Sequence, residues 1–252
     1  MQKMSKGWLL VLGLVFQSAA FGFGSAGVEA SQGYAQAVEK LLQEMQAQPS
    51  PMTDQDLNVM ETAAKKLADQ MPDPGLPVGS NAPMFELSNA FGKSVTLADM
   101  LQQGPVVLTF YRGAWCPFCN LHLHKLQEAL PEFQQYGAQL VAISPQKPDK
   151  SAEQLKQEGY PFEVLSDLNS DVMKAYQLYF ELEPDLLAVY KKFDIDLDEF
   201  NGEGRYSLPV PGTFVIDTKG VIRAMQAQTD YKKRMEPVDV LEALKRIVNL
   251  KE

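Results

Sequence analysis

Hydrophobic residues along this 252-residue chain first follow a helical spacing. One predicted helix covers about Tyr34–Gln46, and a second follows the cap signal Thr53-Asp54-Gln55-Asp56 and ends near Gln70. In both segments apolar residues recur three or four positions apart, which places them on one helix face. A linker rich in proline and glycine follows at residues 71–77. The pattern predicts a helical extension and linker over residues 31–77, which could be a packing appendage, a dimer contact or an arm for a partner.

From residue 78 the pattern changes to strands that alternate with helices. The predicted elements are a hairpin of Phe85–Ser88 and Ser94–Leu97, a strand over Pro105–Tyr111, a helix from the cysteine-containing run at residues 115–119 to about Tyr136, a strand over Gln139–Ser144, a helix over Ser151–Gly159, a strand over Phe162–Leu165, a helix near Asn169–Leu178, an irregular and partly helical insertion over Tyr179–Tyr206, strands over Gly212–Asp217 and Val221–Gln226, and a helix over Pro237–Asn249. This alternation predicts an α/β domain over residues 78–252, in which helices flank a central sheet.

The first thirty residues have the pattern of a signal peptide. Lys3 and Lys6 precede a short apolar run, Trp8–Phe16, and small residues follow at positions 18–20. The run is too short to span a membrane, which takes about 20 residues. We therefore expect residues 1–30 to direct export, to a bacterial periplasm, with the cleavage site left open and an uncleaved N-terminal anchor as the alternative.

The net charge and the absence of a phosphate-binding motif argue against several classes of ligand. The net charge is −9, and removing Lys3 and Lys6 takes it to −11. Such an acidic body disfavours nucleic acid and anionic membrane surfaces. The sequence also lacks a Gly-rich phosphate loop followed by Lys-Ser or Lys-Thr, so nucleotide chemistry has no candidate. We expect no cofactor, no nucleic-acid partner and no stable membrane span.

The chain has only two cysteines, and both lie in the run Trp115-Cys116-Pro117-Phe118-Cys119. Exported proteins usually use cysteine pairs to join distant segments. A disulfide that closes so short a loop adds little stability, because the entropic effect grows with the length enclosed. The pair therefore favours a chemical role over a structural one.

The surroundings of the pair favour a reactive thiolate. Cys116 follows a predicted buried strand and opens a helix, where free backbone N–H groups and the helix dipole stabilise an anion. Pro117 suits the first helical turn, Trp115 can cover the pair, and Arg112 is a candidate positive neighbour. These features lower a cysteine pKa from about 8.5. The second cysteine lies three residues along the same helix face, where it can resolve a mixed disulfide or a sulfenic acid.

A metal site is the alternative use of these residues. A structural zinc site needs four ligands, and the sequence has no second cysteine pair. His122 and His124 are nearby, but residues two apart on a helix face different ways, so we expect both on a solvated helix surface and no metal. A copper chaperone that uses both thiolates and a histidine stays open as a further alternative.

A later motif places a proline directly before an apolar strand. The segment Pro211-Gly212-Thr213-Phe214-Val215-Ile216-Asp217 has this form, and proline at such a place is usual only at a strand start, an edge or a cis turn. Together with Trp-Cys-x-x-Cys after a buried strand, it resembles the thioredoxin superfamily. The resemblance implies that Pro211 is cis and packs against the cysteine pair.

Further motifs resemble the peroxiredoxin-like members of the alkyl hydroperoxide reductase and thiol-specific antioxidant family. They are Ala82-Pro83-Met84-Phe85-Glu86-Leu87, Gly92-Lys93-Ser94-Val95-Thr96-Leu97, Phe110-Tyr111-Arg112-Gly113, Ile143-Ser144-Pro145 and the run from Asp230 to Pro237. The resemblance covers residue 78 to the end but not the two N-terminal helices. It implies an α/β, thioredoxin-like fold, with a mixed sheet and a peroxiredoxin-type N-terminal hairpin, and a thiol-dependent oxidoreductase of antioxidant defence.

The sequence departs from the peroxiredoxin pattern at the peroxide site. Peroxiredoxins carry Pro-x-x-x-Thr-x-x-Cys and a later Arg that polarise the peroxide. Aligned through Phe110-Tyr111, Cys119 falls at the peroxidatic position, Arg112 replaces the proline and Cys116 replaces the threonine. The later arginine falls at Pro211. Three parts of the usual peroxide site are therefore missing, and Arg112 is a candidate to supply positive charge in their place.

Two enzyme mechanisms follow from these resemblances. In the first, a hydroperoxide oxidises one cysteine, the other resolves it, and an external thioredoxin-like dithiol reduces the disulfide. In the second, the pair exchanges disulfides with protein clients, with Cys116 as an exposed nucleophile. Asp230, Tyr231 and Arg234 could line the mouth of the site; alternatively, Asp230 caps a turn and Arg234 pairs with Glu236 on the surface.

Overall fold

The computed structural model describes residues 33–249. The predicted signal peptide, residues 1–30, lies outside the described residues. Within residues 33–249 there is no helix with the length and apolar character that crossing a membrane requires.

A seven-stranded mixed sheet forms the centre of the fold. Its strands are β1 (Glu86–Asn89), β2 (Ser94–Thr96), β3 (Val106–Phe110), β4 (Gln139–Ser144), β5 (Glu163–Ser166), β8 (Gly212–Ile216) and β9 (Ile222–Ala227). Their order across the sheet is β2-β1-β5-β4-β3-β8-β9. Strands β3, β4 and β5 are parallel to one another, whereas the β1–β2 hairpin and the β8–β9 pair are antiparallel to their neighbours. The remaining strands, β6 (Tyr179–Glu181) and β7 (Ser207–Pro209), form a separate antiparallel pair.

Nine helices accompany the sheet within the described residues. They are α1 (Tyr34–Gln46), α2 (Asp54–Gln70), α3 (Leu97–Gln103), α4 (Pro117–Gln135), α5 (Pro148–Glu158), α6 (Asp171–Ala175), α7 (Pro184–Lys192), α8 (Leu197–Asn201) and α9 (Pro237–Asn249). Both N-terminal helices, the long cysteine-motif helix and the C-terminal helix agree with the predicted spans. The sequence-predicted mixed α/β architecture is confirmed.

The central strand β3 shows how the two layers are divided. All five of its residues are buried, as the continuous apolar run predicts. Val106, Leu108 and Phe110 face one cluster, with side chains from α3 and α6, while Val107 faces the other, with side chains from α4 and α9. Alternate residues of one strand therefore anchor both layers.

The two N-terminal helices pack on the main body. Helix α1 lies against α4, and α2 lies against α7. Thr53 caps α2: its hydroxyl accepts from the backbone N–H of Asp56, and the Asp56 carboxylate accepts from the Thr53 N–H at 2.8 Å, as the cap signal predicts. Lys192 on α7 forms an ion pair with Asp56, and Lys66 forms one with Glu183.

Two predicted segments differ from the structure. The helix expected near Asn169–Leu178 is shorter and consists of α6 alone. At its start, the Asp167 carboxylate accepts hydrogen bonds from the backbone N–H groups of Val172 and Met173. Just beyond its end, Gln177 has a φ of +57°, which ends the helical conformation. The insertion contains β6, α7 and α8, and β6 pairs with β7 just beyond it, so the insertion is more regular than predicted.

The expected cis proline is absent. No cis peptide bond occurs within residues 33–249, so the bond before Pro211 is trans. A trans bond is the lower-energy isomer, and at the start of β8 the missing N–H of Pro211 removes no sheet hydrogen bond.

We predict that Phe133→Ala lowers the free energy of unfolding by about 3–5 kcal/mol, because the fully buried ring fills the layer between α4, α9 and the sheet. Urea denaturation followed by circular dichroism measures the change. Gln135→Ala, at an exposed position of the same helix, is the control and should change stability by no more than about 0.5 kcal/mol. Equal losses in both variants would contradict the packing assigned to α4.

Candidate active site

The two cysteines lie where β3 ends and α4 begins. Cys116 is the N-cap of α4, Pro117 is its first residue and Cys119 is its third. The Cys116 carbonyl accepts from the N–H of Cys119 at 3.0 Å and from that of Asn120 at 3.1 Å. Both cysteines are free thiols. The pair therefore occupies the positive end of the helix dipole.

Both thiols are buried. Cys116 is 0% exposed and Cys119 is 1% exposed. Phe118, Trp115 and Tyr231 pack in the same cluster as the pair, and Tyr190 packs edge-to-face on Trp115 at 5.5 Å. The expected exposed Cys116 is wrong for this structure, because aromatic side chains from three parts of the chain pack around the motif.

Arg112 lies against the first cysteine. Its Nη2 is 3.2 Å from the Sγ of Cys116, and its Nη1 donates to the Tyr190 hydroxyl at 3.1 Å. The guanidinium carbon is 3.9 Å from the Tyr231 ring centre and 5.0 Å from that of Trp115, in cation–π geometry. Burial opposes the charge of Arg112, but the anionic character of the cysteines beside it outweighs burial and holds its pKa above the ordinary value.

Arg234 lies against the second cysteine. Its Nη2 is 3.5 Å from the Sγ of Cys119, and its Nη1 donates to the Lys233 carbonyl. The side chain is buried, so the alternative in which Arg234 pairs with Glu236 on the surface is wrong. Glu236 instead accepts hydrogen bonds from the start of α1. Each sulfur thus has its own buried guanidinium.

Neither of these guanidinium groups has a carboxylate partner in the described residues, where the arginine ion pairs involve Arg223 and Arg246. A buried charge without a counter-ion costs several kcal/mol. The anion available beside Arg112 and Arg234 is a cysteine thiolate. The site therefore favours a deprotonated sulfur.

The surroundings shift the pKa values of the two thiols in opposite directions. Burial alone would raise the pKa of Cys119, but a hydrogen bond from Cys116 and the charges of Arg234 and Arg112 outweigh it and hold this pKa well below the ordinary value. Burial raises the pKa of Cys116, and donation to Cys119 raises it further, against the opposing charge of Arg112. These opposite shifts favour the thiolate at Cys119 and the thiol at Cys116.

A network of amides fixes the loop between β3 and the cysteines. The Gln146 side chain accepts from the Ala114 N–H at 2.9 Å and donates to the Tyr111 hydroxyl at 3.0 Å. Asn120 donates to the Ala114 carbonyl at 2.8 Å, and Gln154 bridges Gln146 and Asn120. Both backbone polar groups of Ala114 are therefore satisfied by side chains of other elements.

The two histidines are not on a solvated surface, contrary to expectation. His122 is buried, and burial together with the charge of Arg234 lowers its pKa to about 3, so the ring is neutral and its Nε2 donates to the Met235 carbonyl at 3.0 Å. His124 is half-buried and bonds Glu158. Within residues 33–249 no group of three or more His, Cys, Asp and Glu side chains is arranged to hold a metal ion.

The other predicted residues lie around a small cavity. Pro211, Arg112 and Tyr231 line a space of about 70 Å³ that α2 and the β6–α7 segment also border. Tyr231 reaches the site through its ring contacts with Arg112 and Phe118. Asp230 accepts from the N–H of Lys232 at 3.1 Å, so it caps a turn.

Sequence reasoning missed three residues of the site. Gln146 follows the quoted Ile143-Ser144-Pro145 motif, which could have pointed to it. Tyr190 lies in the irregular insertion and His122 was assigned to the surface, and no sequence pattern connects either to the cysteines.

Comparison with known proteins agrees with this architecture. A model of the AhpC/TSA family matches residues 78–225. A Mycobacterium tuberculosis protein named as a peroxiredoxin is 36% identical over 103 residues, which is 41% of this chain and 65%, less than two thirds, of that relative. The thiol-disulfide oxidoreductase ResA of Geobacillus thermodenitrificans is 27% identical over 166 residues, covering 64% of this chain and 78% of ResA.

A solved structure is similar over most of the described region. The crystal structure of peroxidoxin BcpB from Mycobacterium tuberculosis superposes with a TM-score of 0.53 at 23% identity, covering 69% of this chain and 99% of that one. This likeness confirms the predicted thioredoxin-like fold of peroxiredoxin type.

We predict that Cys119 titrates below the ordinary cysteine range and Cys116 above it. Thiolate absorbance near 240 nm, followed against pH, should show the low pKa in Cys116→Ser, which keeps Cys119, and the high pKa in Cys119→Ser. The reverse assignment would contradict the charge distribution described for the pair.

Gly113→Ala should destabilise the protein by more than about 1 kcal/mol, because Gly113 has a φ of +149° and an added Cβ would lie 2.5 Å from the Trp115 indole nitrogen. The Trp115 emission spectrum should shift as the ring moves. Gly79→Ala is the matched control: its φ is +94°, but an added Cβ meets nothing within 4 Å. An unshifted emission in Gly113→Ala would contradict this packing.

Proposed function

Because this chain belongs to the AhpC/TSA family, we propose that it is a thiol-dependent peroxidase that reduces hydroperoxides with Cys119 and Cys116. The observation that carries the proposal is the pair of buried guanidinium groups, one on each sulfur, with no carboxylate partner in the described residues. This arrangement supports a thiolate at Cys119, and the thiolate is the form that attacks a peroxide.

The first step oxidises Cys119. Its thiolate attacks the terminal oxygen of the hydroperoxide, the O–O bond breaks, and Cys119 becomes a sulfenic acid. The alkoxide that leaves takes up a proton and departs as an alcohol, or as water when the substrate is hydrogen peroxide. The positive charges of Arg112 and Arg234 stabilise the negative charge that moves from sulfur to oxygen in this step.

The second step uses Cys116. Its thiol attacks the sulfenic sulfur of Cys119, a disulfide forms, and the hydroxyl leaves as water. The two cysteines lie three residues apart on one helix, which supports this intramolecular step. An external dithiol then reduces the disulfide and becomes a disulfide itself, which returns both cysteines to thiols.

Burial favours a small oxidant over a protein client. Both sulfurs are at most 1% exposed, so a client disulfide reaches them only after the aromatic cover moves, whereas a hydroperoxide is small. The second candidate function, protein disulfide exchange, is supported by the Cys-x-x-Cys motif at a helix start, by Pro211 before β8 and by the ResA relative.

The setting we propose is antioxidant defence after export. The charged start and short apolar core of residues 1–30 support export. The reductant is then a thioredoxin-like dithiol of the same compartment, a bacterial periplasm.

Stopped-flow oxidation of the reduced protein by hydrogen peroxide and by an organic hydroperoxide, followed by Trp115 fluorescence, tests the proposal. We expect second-order oxidation at least about a hundredfold faster than that of a free cysteine, in keeping with the rate factors of preorganised donors. The Cys116→Ser variant, which keeps Cys119, should retain this phase, and Cys119→Ser should lose it.

The opposite result would favour the second candidate function, protein disulfide exchange. Oxidation no faster than a free thiolate, together with rapid exchange of a model disulfide through Cys116, would make the protein a disulfide oxidoreductase on a peroxiredoxin-type fold.

A further inference from the structure

Helix α1, which lies outside the family match, is bound to the segment that carries Arg234. The backbone N–H groups of Tyr34 and Ala35 donate to the two carboxylate oxygens of Glu236, each at 2.7 Å. The Tyr34 hydroxyl donates to the Lys232 carbonyl at 3.0 Å. Three hydrogen bonds therefore join the start of α1 to residues on both sides of Arg234.

Tyr34 is also buried against the active-site helix. Its side chain is 1% exposed, and its ring packs edge-to-face on His122 at 5.1 Å between ring centres. His122 in turn donates to the Met235 carbonyl. The backbone is thus held at residue 232 by Tyr34, at residue 235 by His122 and at residue 236 through the start of α1.

The local geometry suits this attachment. The first N–H groups of a helix have no partner within the helix, and a carboxylate there is also favoured by the helix dipole. An added Cβ on Gly33 would lie 3.0 Å from the nearer Glu236 oxygen. The glycine that precedes α1 therefore leaves the Glu236 carboxylate room to approach.

Arg234 itself has little else to fix its position. Among residues 33–249, its hydrogen bonds are the one to Cys119 and one to the carbonyl of its own neighbour, Lys233. The flexible side chain must be placed by its backbone, and a guanidinium–sulfur contact of 3.5 Å weakens as soon as that backbone moves away.

We propose that α1 is a positioning element of the active site, in which Tyr34 and the Glu236 carboxylate hold residues 232–236 so that Arg234 stays against Cys119. The inference rests on the proposed role of Cys119 as the attacking thiolate. It assigns Tyr34, which precedes the family match, and Glu236 a role in the reactivity of Cys119.

The titratable and charged groups around Cys119 come from six parts of the chain. They are Cys116 and His122 of α4, Arg112 and Tyr111 of the loop after β3, Arg234, Tyr231 and Asp230 of the segment before α9, Tyr34 of α1, Tyr190 of α7, and Tyr160 beyond α5. The tyrosines and His122 are neutral near pH 7, because burial raises the pKa of the former and lowers that of the latter. The cations facing Cys119 are therefore Arg112 and Arg234.

The test is a thiol titration that measures the pKa of Cys119. It uses the full chain with Cys116→Ser, so that Cys119 is the cysteine that titrates, and compares this protein with the same protein carrying both Tyr34→Phe and Glu236→Ala. Tyr34→Phe removes one hydroxyl and keeps the ring on His122. We expect the pKa of Cys119 to rise by about one unit, which is a tenfold fall in the ratio of thiolate to thiol at a given pH. The matched control is Glu39→Gln, an exposed carboxylate of α1 whose hydrogen bond is to Gln43. It should leave the pKa unchanged.

A double-mutant cycle with Arg234→Ala separates positioning from a general loss of stability. If α1 acts through Arg234, the Tyr34 and Glu236 changes shift the pKa of Cys119 when Arg234 is present and no longer shift it when Arg234 is alanine. An equal shift in both backgrounds, or no shift in either, overturns the inference. Tyr34→Phe alone and Glu236→Gln repeat the cycle if the combined variant fails to fold, as judged by near-ultraviolet circular dichroism.

The titration needs no peroxide, so its outcome is distinct from that of the proposed function. A shift through Arg234 in a protein that does not react rapidly with hydroperoxides supports the positioning role and contradicts the peroxidase. Rapid peroxide reduction with an unshifted pKa in the variant supports the peroxidase and contradicts the positioning role.

Discussion

Two guanidinium groups buried beside two sulfur atoms are the constraint on which the rest of the site depends. Arg112 and Arg234 are both excluded from water, and neither has a carboxylate partner within residues 33–249. Buried charge is tolerated only when nearby groups compensate it. Here the compensating groups are the sulfur of Cys119, which the proposed function takes as a thiolate, the Tyr190 hydroxyl and the face of the Tyr231 ring.

The residues around the two sulfur atoms come from parts of the chain that are far apart in sequence. Strand β3 and helix α4 supply the cysteines, and the segment before α9 supplies Arg234. Helix α7, within the insertion, supplies Tyr190, and α1 holds the Arg234 segment through Glu236. The insertion therefore supplies a side chain that contacts Arg112, and α1 contacts the segment that carries Arg234.

The arrangement also accounts for the departure from the peroxiredoxin pattern. The proline and threonine that usually precede the reactive cysteine are replaced by Arg112 and Cys116, and Pro211 stands where a later arginine is usual. In this structure Arg112 and Arg234 bring positive charge to the sulfurs from two other positions.

The sequence by itself determined most of the elements and the candidate reacting atoms. Periodicity and cap signals are local properties, so they located α1, α2, α4 and β3, and the cysteine spacing identified Cys116 and Cys119. Only the tertiary structure brought Arg234, 115 positions away in the sequence, against the sulfur of Cys119, where its charge lowers the pKa of that thiol. It also decided that His122 is buried and neutral and that Tyr190 touches Arg112. Such contacts arise from packing between distant segments, which leaves no periodic trace in the sequence.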